Sequence, residues 1–222
     1  MLKSKHTQDI LVEVGIDEAG RGCLWGPLVA GAVIWPEEST WTEELRAISA
    51  KIRDSKKLSP KRRLELNKQI QEHAIAHSIG TVTAQEIDSL GMTKSNRLAF
   101  QRALQGISVP FGRVIIDGIL GVPGFDGVEQ VIEPKGDDIY LSVAAASIIA
   151  KEGRDAMIKS LCEADPLLES RYSIAKSKGY GTLKHREAIK AHGIHANHRR
   201  LFLRKLLGLE HTVSQGHCFI ED

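Results

Sequence analysis

An apolar, β-branched run, Ile10 to Ile16 (ILVEVGI), leads straight into two adjacent acids, Asp17 and Glu18, and then into Ala19-Gly20-Arg21-Gly22. The alternation and the Val/Ile content read as a strand. The edge of a core is a costly place for two carboxylates unless something there compensates their charge. Adjacent strand residues face opposite sides of a sheet, so Asp17 and Glu18 share one site only if the chain leaves regular strand geometry. Gly20 and Gly22 supply the backbone freedom for such a turn. The stretch Gly20-Arg21-Gly22-Cys23-Leu24-Trp25-Gly26 invites a dinucleotide-binding reading. Its third glycine comes one residue late for GxGxxG, and the next apolar run, Leu28 to Trp35, reads as a buried strand rather than a helix. What remains is a loop whose backbone can approach a ligand closely, with Arg21 available to a phosphate.

Further acids fall at matching places. Asp117 closes the short strand Arg113 to Ile116, and Asp137 and Asp138 follow the strand Val128 to Ile132, just ahead of the clearest helix, Leu141 to about Cys162. That helix carries Leu141, Ala144, Ala145, Ile148 and Ile149 on one face. Strand ends on one edge of a sheet converge, and carboxylates gathered there stay ionised only when a cation neutralises them. Oxygen ligands without a nearby His or Cys point to Mg²⁺ or Mn²⁺ rather than zinc.

The remaining pattern places a strand at His77 to Ala84 and helices from Ser59-Pro60 to about Ala76, from Ala84 to Ile107 with a break near Gly91, from Leu183 to His192, and from Leu201 to Leu207. Strands come first and helices accumulate toward the end, which predicts an α/β or α+β layer on a mixed sheet with a basic helical region from about residue 170. Between Arg171 and Lys205 there are ten Lys or Arg against one acid, Glu187, a local charge of +9 in a chain whose net charge is +2. A second basic run, Lys51 to Arg63, has seven Lys or Arg against Asp54. Two such stretches suit a surface that follows a phosphate backbone. His185, His192, His195 and His198 lie in basic company and form no HxxxH pair, which favours phosphate contact or helix capping over zinc. Three cysteines without a CxxC pair, apolar runs no longer than eight residues and no apolar leader segment predict a reduced, cytoplasmic protein without a membrane span.

The motifs GIDEAGRG (Gly15 to Gly22), DSKKLS (Asp54 to Ser59), IIDG (Ile115 to Gly118), KGD (Lys135 to Asp137), AAASIIAK (Ala144 to Lys151) with Arg154-Asp155, and GYGT (Gly179 to Thr182) with His198-Arg199-Arg200 occur in this order along the chain. Together they resemble the type 2 ribonuclease H family, ribonuclease HII, over roughly residues 10 to 202. The chain departs from that pattern at Ile119, where the family often has Asn, and at Arg200-Leu201-Phe202, where Ser-Phe is common.

The resemblance implies a ribonuclease H-like α/β fold, with a central mixed five-stranded sheet flanked by helices and a C-terminal helical region. It implies a catalytic domain over 10–205 and a tail over 206–222. It also implies an endonuclease that cuts on the 5′ side of ribonucleotides, in RNA/DNA hybrids and at single ribonucleotides embedded in duplex DNA. Asp17, Glu18, Asp117 and Asp137 are then the metal-binding acids, with Asp17 bridging two Mg²⁺ or Mn²⁺ ions. Gly20, Arg21 and Gly22 are the loop that meets the ribose 2′-hydroxyl, Tyr180 stacks at the ribonucleotide junction, and Lys56, Lys57 and Ser147 touch the substrate. A monomer acting on RNA/DNA hybrid is expected. Two alternatives remain at this level, a non-catalytic nucleic-acid binding module and a different metal-dependent nuclease of the same fold class.

Overall fold

The computed structural model describes residues 2–204 and 206–208. Five strands form one sheet: β1 (Glu13–Ala19), β2 (Leu28–Ile34), β3 (Ala76–Val82), β4 (Arg113–Asp117) and β5 (Glu129–Glu133), in the order β3-β2-β1-β4-β5. β1 pairs antiparallel with β2 and β2 with β3, whereas β1–β4 and β4–β5 are parallel. The expected mixed sheet is therefore present, with the acid-bearing strand at its centre. The helices are α1 (Glu43–Ser49), α2 (Pro60–His73), α3 (Ala84–Leu90), α4 (Met92–Gln105), α5 (Leu141–Ala164), α6 (Leu167–Tyr172), α7 (Ile174–Ser177), α8 (Leu183–His192) and α9 (Arg200–Leu203). None of them is long and apolar enough to cross a membrane.

The first strand starts later and ends later than the apolar run suggests. Ile10 is 96% exposed, because the Asp9 carboxylate accepts from the Leu11 amide and pairs with Arg113. The buried Arg113 guanidinium also gathers Glu13 and Glu129, which fixes where β1, β4 and β5 begin. At the other end the strand continues through Ala19, so Asp17 and Glu18 lie inside it, opposite Gly31 and Ala30 of β2.

Helix α5 crosses one face of the sheet at very short range, and glycine makes that approach feasible. A Cβ on Gly15 would sit 2.2 Å from the Ser142 carbonyl carbon, and one on Gly31 would sit 2.4 Å from the Ala146 carbonyl oxygen. Helix α2 packs behind α5 through Leu66 and Ile70. Helix α4 covers the opposite face, where Ala99, Phe100 and Ala103 meet Val14, Ile16 and Ala30. A third core, around Trp25, Ile158, Tyr172, Ile189 and Leu203, ties the C-terminal helices to the far end of α5.

The break at Gly91 occurs as expected, with φ at 76°, and Thr83 closes a capping box with Glu86 ahead of it. Helices α1, α6 and α7 have seven, six and four residues. Elements that short carry too few turns to display a 3.6-residue period. Among the described residues the last helix is Arg200–Leu203, where the sequence suggests Leu201 to Leu207. Of the expected tail, 206–222, the part from 209 onward lies outside the described residues.

The close approach of α5 gives a direct test. Gly31→Ala forces backbone against backbone and should cost about 1–3 kcal/mol in urea unfolding. Gly127→Ala, whose Cβ would meet nothing within 4 Å, should change stability by less than about 0.5 kcal/mol.

Candidate active site

Asp17, near the end of β1, points to the α5 side of the sheet, the same side as Gly15 two residues earlier. Asp117 is the last residue of the neighbouring β4. Its Oδ1 accepts from the Gly136 amide at 2.8 Å and so anchors the 3₁₀ turn Gly136–Asp138, which carries Asp137. Lys135 enters that turn in the left-handed region, φ 62°, a conformation that a lysine adopts only under constraint from its surroundings. The result is a set of three carboxylates, from Asp17, Asp117 and Asp137, each offering an oxygen within 4.8 Å of the others.

Asp17 and Asp137 are buried. Burial raises the Asp17 carboxyl well above its usual value, and the charges of Glu18 and Asp117 add to the rise. Burial, Asp117 and Asp54 push Asp137 up to about 6. The site is short of positive charge, and three oxygen donors in that condition fit a hard divalent cation.

Glu18 does not join this set. The strand keeps regular pairing through Ala19, so Glu18 projects to the α4 side, beside Asn96 and 3.8 Å from Arg21. The expected departure from strand geometry does not occur. Glu18 is still raised, by burial first and by Asp117 across the strand ends, while Asn96 and Arg21 act the other way.

The DSKKLS segment forms a 3₁₀ turn, Ser55–Lys57, capped by Asp54. Lys56 Nζ lies 3.9 Å from both Asp54 Oδ1 and Asp137 Oδ2, and Lys57 pairs with Asp138. Burial opposes the Lys56 ammonium, but Asp17, Asp54 and Asp137 outweigh it and raise its pKa. Asp54 is a residue that the motif reading passed over, although Asp ahead of Ser-Lys-Lys is itself a capping signal. Ser147, expected at the substrate, is buried instead. Its hydroxyl donates to the Ala144 carbonyl at 2.8 Å and accepts from the Ser55 amide at 3.2 Å, so it anchors the lysine turn to α5.

The Gly20–Gly22 loop follows β1, with Arg21 and Gly22 exposed. Tyr180 is 45% exposed and lies against the buried Cys23 thiol. The histidines are not phosphate contacts as a group, because His185 and His198 are fully internal. His198 Nδ1 accepts from the His195 amide, which leaves its Nε2–H to donate to His185 Nε2 at 3.1 Å. His185 Nδ1–H then donates to the Tyr180 carbonyl at 2.9 Å. Burial lowers His185, and burial with the His185 charge lowers His198 to about 4, so both rings stay neutral near pH 7. Histidines 13 residues apart give no sequence sign of a shared hydrogen bond.

A mixed sheet in this order, with carboxylates converging at the ends of its central strands, defines a ribonuclease H-like, metal-dependent nuclease. The family model described as ribonuclease HII matches residues 14–205. The chain is 41% identical over 194 residues to the ribonuclease HII of Synechococcus sp. (strain CC9902), covering 87% of this chain and 93% of that one. It is 41% identical over 191 residues to the ribonuclease HII of Parabacteroides distasonis, covering 86% and 89%. The crystal structure of ribonuclease H2 from Pyrococcus horikoshii OT3 matches with a TM-score of 0.69 at 28% identity, over 89% of this chain and 97% of that one. The chain belongs to the ribonuclease HII family and is an endoribonuclease.

The raised carboxyls make stability depend on pH. Asp17 and Asp137 bind their protons more tightly folded than unfolded, so the stability they contribute to the metal-free fold is fully present below about pH 4 and, for Asp137, is lost as pH climbs from about 4 to about 6. With a chelator at neutral pH, Asp137→Asn should therefore be more stable than wild type by about 1–3 kcal/mol in denaturant unfolding. The gap should close toward pH 4, and a gap that holds constant over that range would show that the buried carboxylate charge is not its cause.

Proposed function

We propose that the protein hydrolyses the phosphodiester on the 5′ side of ribonucleotides, in RNA/DNA hybrids and at single ribonucleotides embedded in duplex DNA, leaving 5′-phosphate and 3′-hydroxyl ends. The observation that carries this reading is the convergence of Asp17, Asp117 and Asp137 within 4.8 Å at the ends of β1 and β4 and the adjoining turn. Three acids placed there without a cation would repel a phosphate, which disfavours a purely binding role.

Asp17, Asp117 and Asp137 would hold two Mg²⁺ or Mn²⁺ ions, and Glu18, on the α4 side beside Asn96, would bear on them through its charge rather than as a member of the set. Such ions, when bound, supply charge relief to the scissile phosphate and the leaving oxygen and lower the pKa of the attacking water. The chain's own residues do the rest. Asp17 and Asp117, on paired strands of a closely packed sheet, keep the donor oxygens fixed before substrate arrives. Lys56, already facing the acids, and Lys57 and Arg21, both exposed, meet phosphates of the bound strand. The Gly20–Gly22 backbone meets the 2′-hydroxyl, which separates RNA from DNA at the cut. Tyr180 stacks at the ribonucleotide junction. The basic residues beyond Arg171 hold the duplex away from the scissile bond. Residues 10–205 form the catalytic unit, and it acts as a cytoplasmic monomer.

The test is a DNA duplex with one ribonucleotide, assayed with and without Mg²⁺ or Mn²⁺. The wild type should nick it only with metal. Asp17→Asn should bind the duplex with an affinity within about threefold of wild type, since phosphate contacts dominate binding, and should fail to nick it. Wild-type nicking by Asp17→Asn would overturn the site assignment.

A further inference from the structure

Two fully buried arginines near the Gly20–Gly22 loop have no carboxylate partner among the described residues. The hydrogen bonds that they make go to backbone carbonyls, and Arg199 Nη2 has no partner among the described residues. Arg199 Nη1 donates to the carbonyls of Gly20 (2.7 Å) and Arg21 (3.0 Å), and its Nε donates to that of Gly26 (2.9 Å). Arg154 donates through Nε to the Pro27 carbonyl (2.9 Å), through Nη1 to that of Lys178 (2.9 Å) and through Nη2 to that of Trp25 (3.1 Å). Neutral side chains satisfy carbonyls at lower desolvation cost. A planar, charged fork adds stronger bonds and fixed directions for several carbonyls at once.

Those directions decide what the loop shows to solvent. In a trans peptide the carbonyl and the following N–H point opposite ways. With the Gly20 and Arg21 carbonyls drawn inward by Arg199, the N–H groups of Arg21 and Gly22 point outward. Neither N–H has an acceptor among the described residues. Space is open over Gly22, where a Cβ would meet nothing within 4 Å. Two adjacent, unspent N–H donors on exposed backbone suit a single oxygen acceptor.

Arg154 joins this loop to the tyrosine turn. Gly20, at φ 90°, lies flat against the Arg154 guanidinium, and a Cβ there would be 2.1 Å from its Nε. Lys178 and Gly179 both take positive φ immediately before Tyr180, and the Gly179 carbonyl accepts from the Leu24 and Trp25 amides. A Cβ on Gly179 would be 2.4 Å from the Trp25 carbonyl oxygen. The loop and the Tyr180 turn therefore form one unit.

We propose that Arg199 and Arg154 are positioning residues for ribose recognition, holding the Arg21 and Gly22 N–H groups outward and in fixed register with Tyr180, so that selectivity for a 2′-hydroxyl depends on these two buried cations. The inference rests on the proposed ribonucleotide-nicking activity. Lysine keeps the charge at either position but cannot reproduce the fork.

The experiment compares kcat/KM on two DNA duplexes that differ at one position, which carries either a ribonucleotide or its 2′-fluoro analogue. In Arg199→Lys the ratio of the two values should fall by roughly tenfold, as expected for loss of aligned hydrogen bonds to one hydroxyl. A role confined to stability lowers both values together and leaves the ratio unchanged, which would overturn the proposal. If Arg199→Lys does not fold, the same ratio is read on Arg154→Lys. Amide hydrogen exchange on metal-free wild type provides a readout without substitution. The Arg21 and Gly22 amides should gain protection with the ribonucleotide duplex and not with all-DNA duplex, and equal behaviour with both would overturn the proposal. A wild type that nicks at the ribonucleotide while the ratio stays fixed sinks the positioning role alone. A wild type that does not nick sinks the functional reading and this inference with it.

Discussion

Mutual repulsion among the carboxylates of Asp17, Asp117 and Asp137 is the constraint around which this fold is arranged. Their oxygens lie within 4.8 Å of one another, two of the three residues are buried, and Lys56 is the nearby ammonium that faces them. A flexible scaffold would relax by moving the acids apart. In this fold each is held by structure that cannot give easily: Asp17 by its pairing with Gly31 of β2 and by the β4 pairing that runs up to Ile16 beside it, Asp117 by β4 and its bond to the Gly136 amide, and Asp137 by a tight turn entered through a left-handed lysine. The close seat of α5 on Gly15 and Gly31 stiffens the same region from behind. Folding energy from the rest of the molecule thus sustains a locally unfavourable arrangement, as at many active sites.

Charge is separated on a larger scale as well. The acids sit at the ends of the central strands, and most of the basic excess lies after Arg171 and in the run Lys51 to Arg63. Within the basic C-terminal region, though, the chemistry is not uniform. Exposed lysines can meet a polyanion, whereas Arg199, His185 and His198, with Arg154 of α5 beside them, are internal and hold backbone in place. Counting charges along the chain cannot divide these roles, because a buried cation that binds carbonyls and an exposed one that awaits phosphate look identical in sequence.

Much of the architecture is legible in the sequence. Strands β2, β3, β4 and β5, the Ser59-capped helix α2, the break at Gly91 and the long helix α5 follow from period, capping and β-branching, which are local properties. The three acids that meet are legible too, since each ends or follows an apolar strand. Glu18 shows where that logic stops: its place beside Asp17 suggests a shared pocket, but regular pairing of β1 with β2 sends it to the other face. The roles of Ser147, Asp54 and the His185–His198 pair escape a reading of the sequence, because their partners lie far away along the chain or their role depends on burial.

The residue order alone determined the element types, the family, and the acidic character of the strand ends, because these depend on neighbours within a turn or two and on motifs with fixed spacing. Tertiary structure alone decided which acids share one pocket, which arginines face inward, and how the glycine loop is locked to the tyrosine turn. Those outcomes depend on distances between segments from about twenty to well over a hundred residues apart, which packing sets and no local pattern encodes.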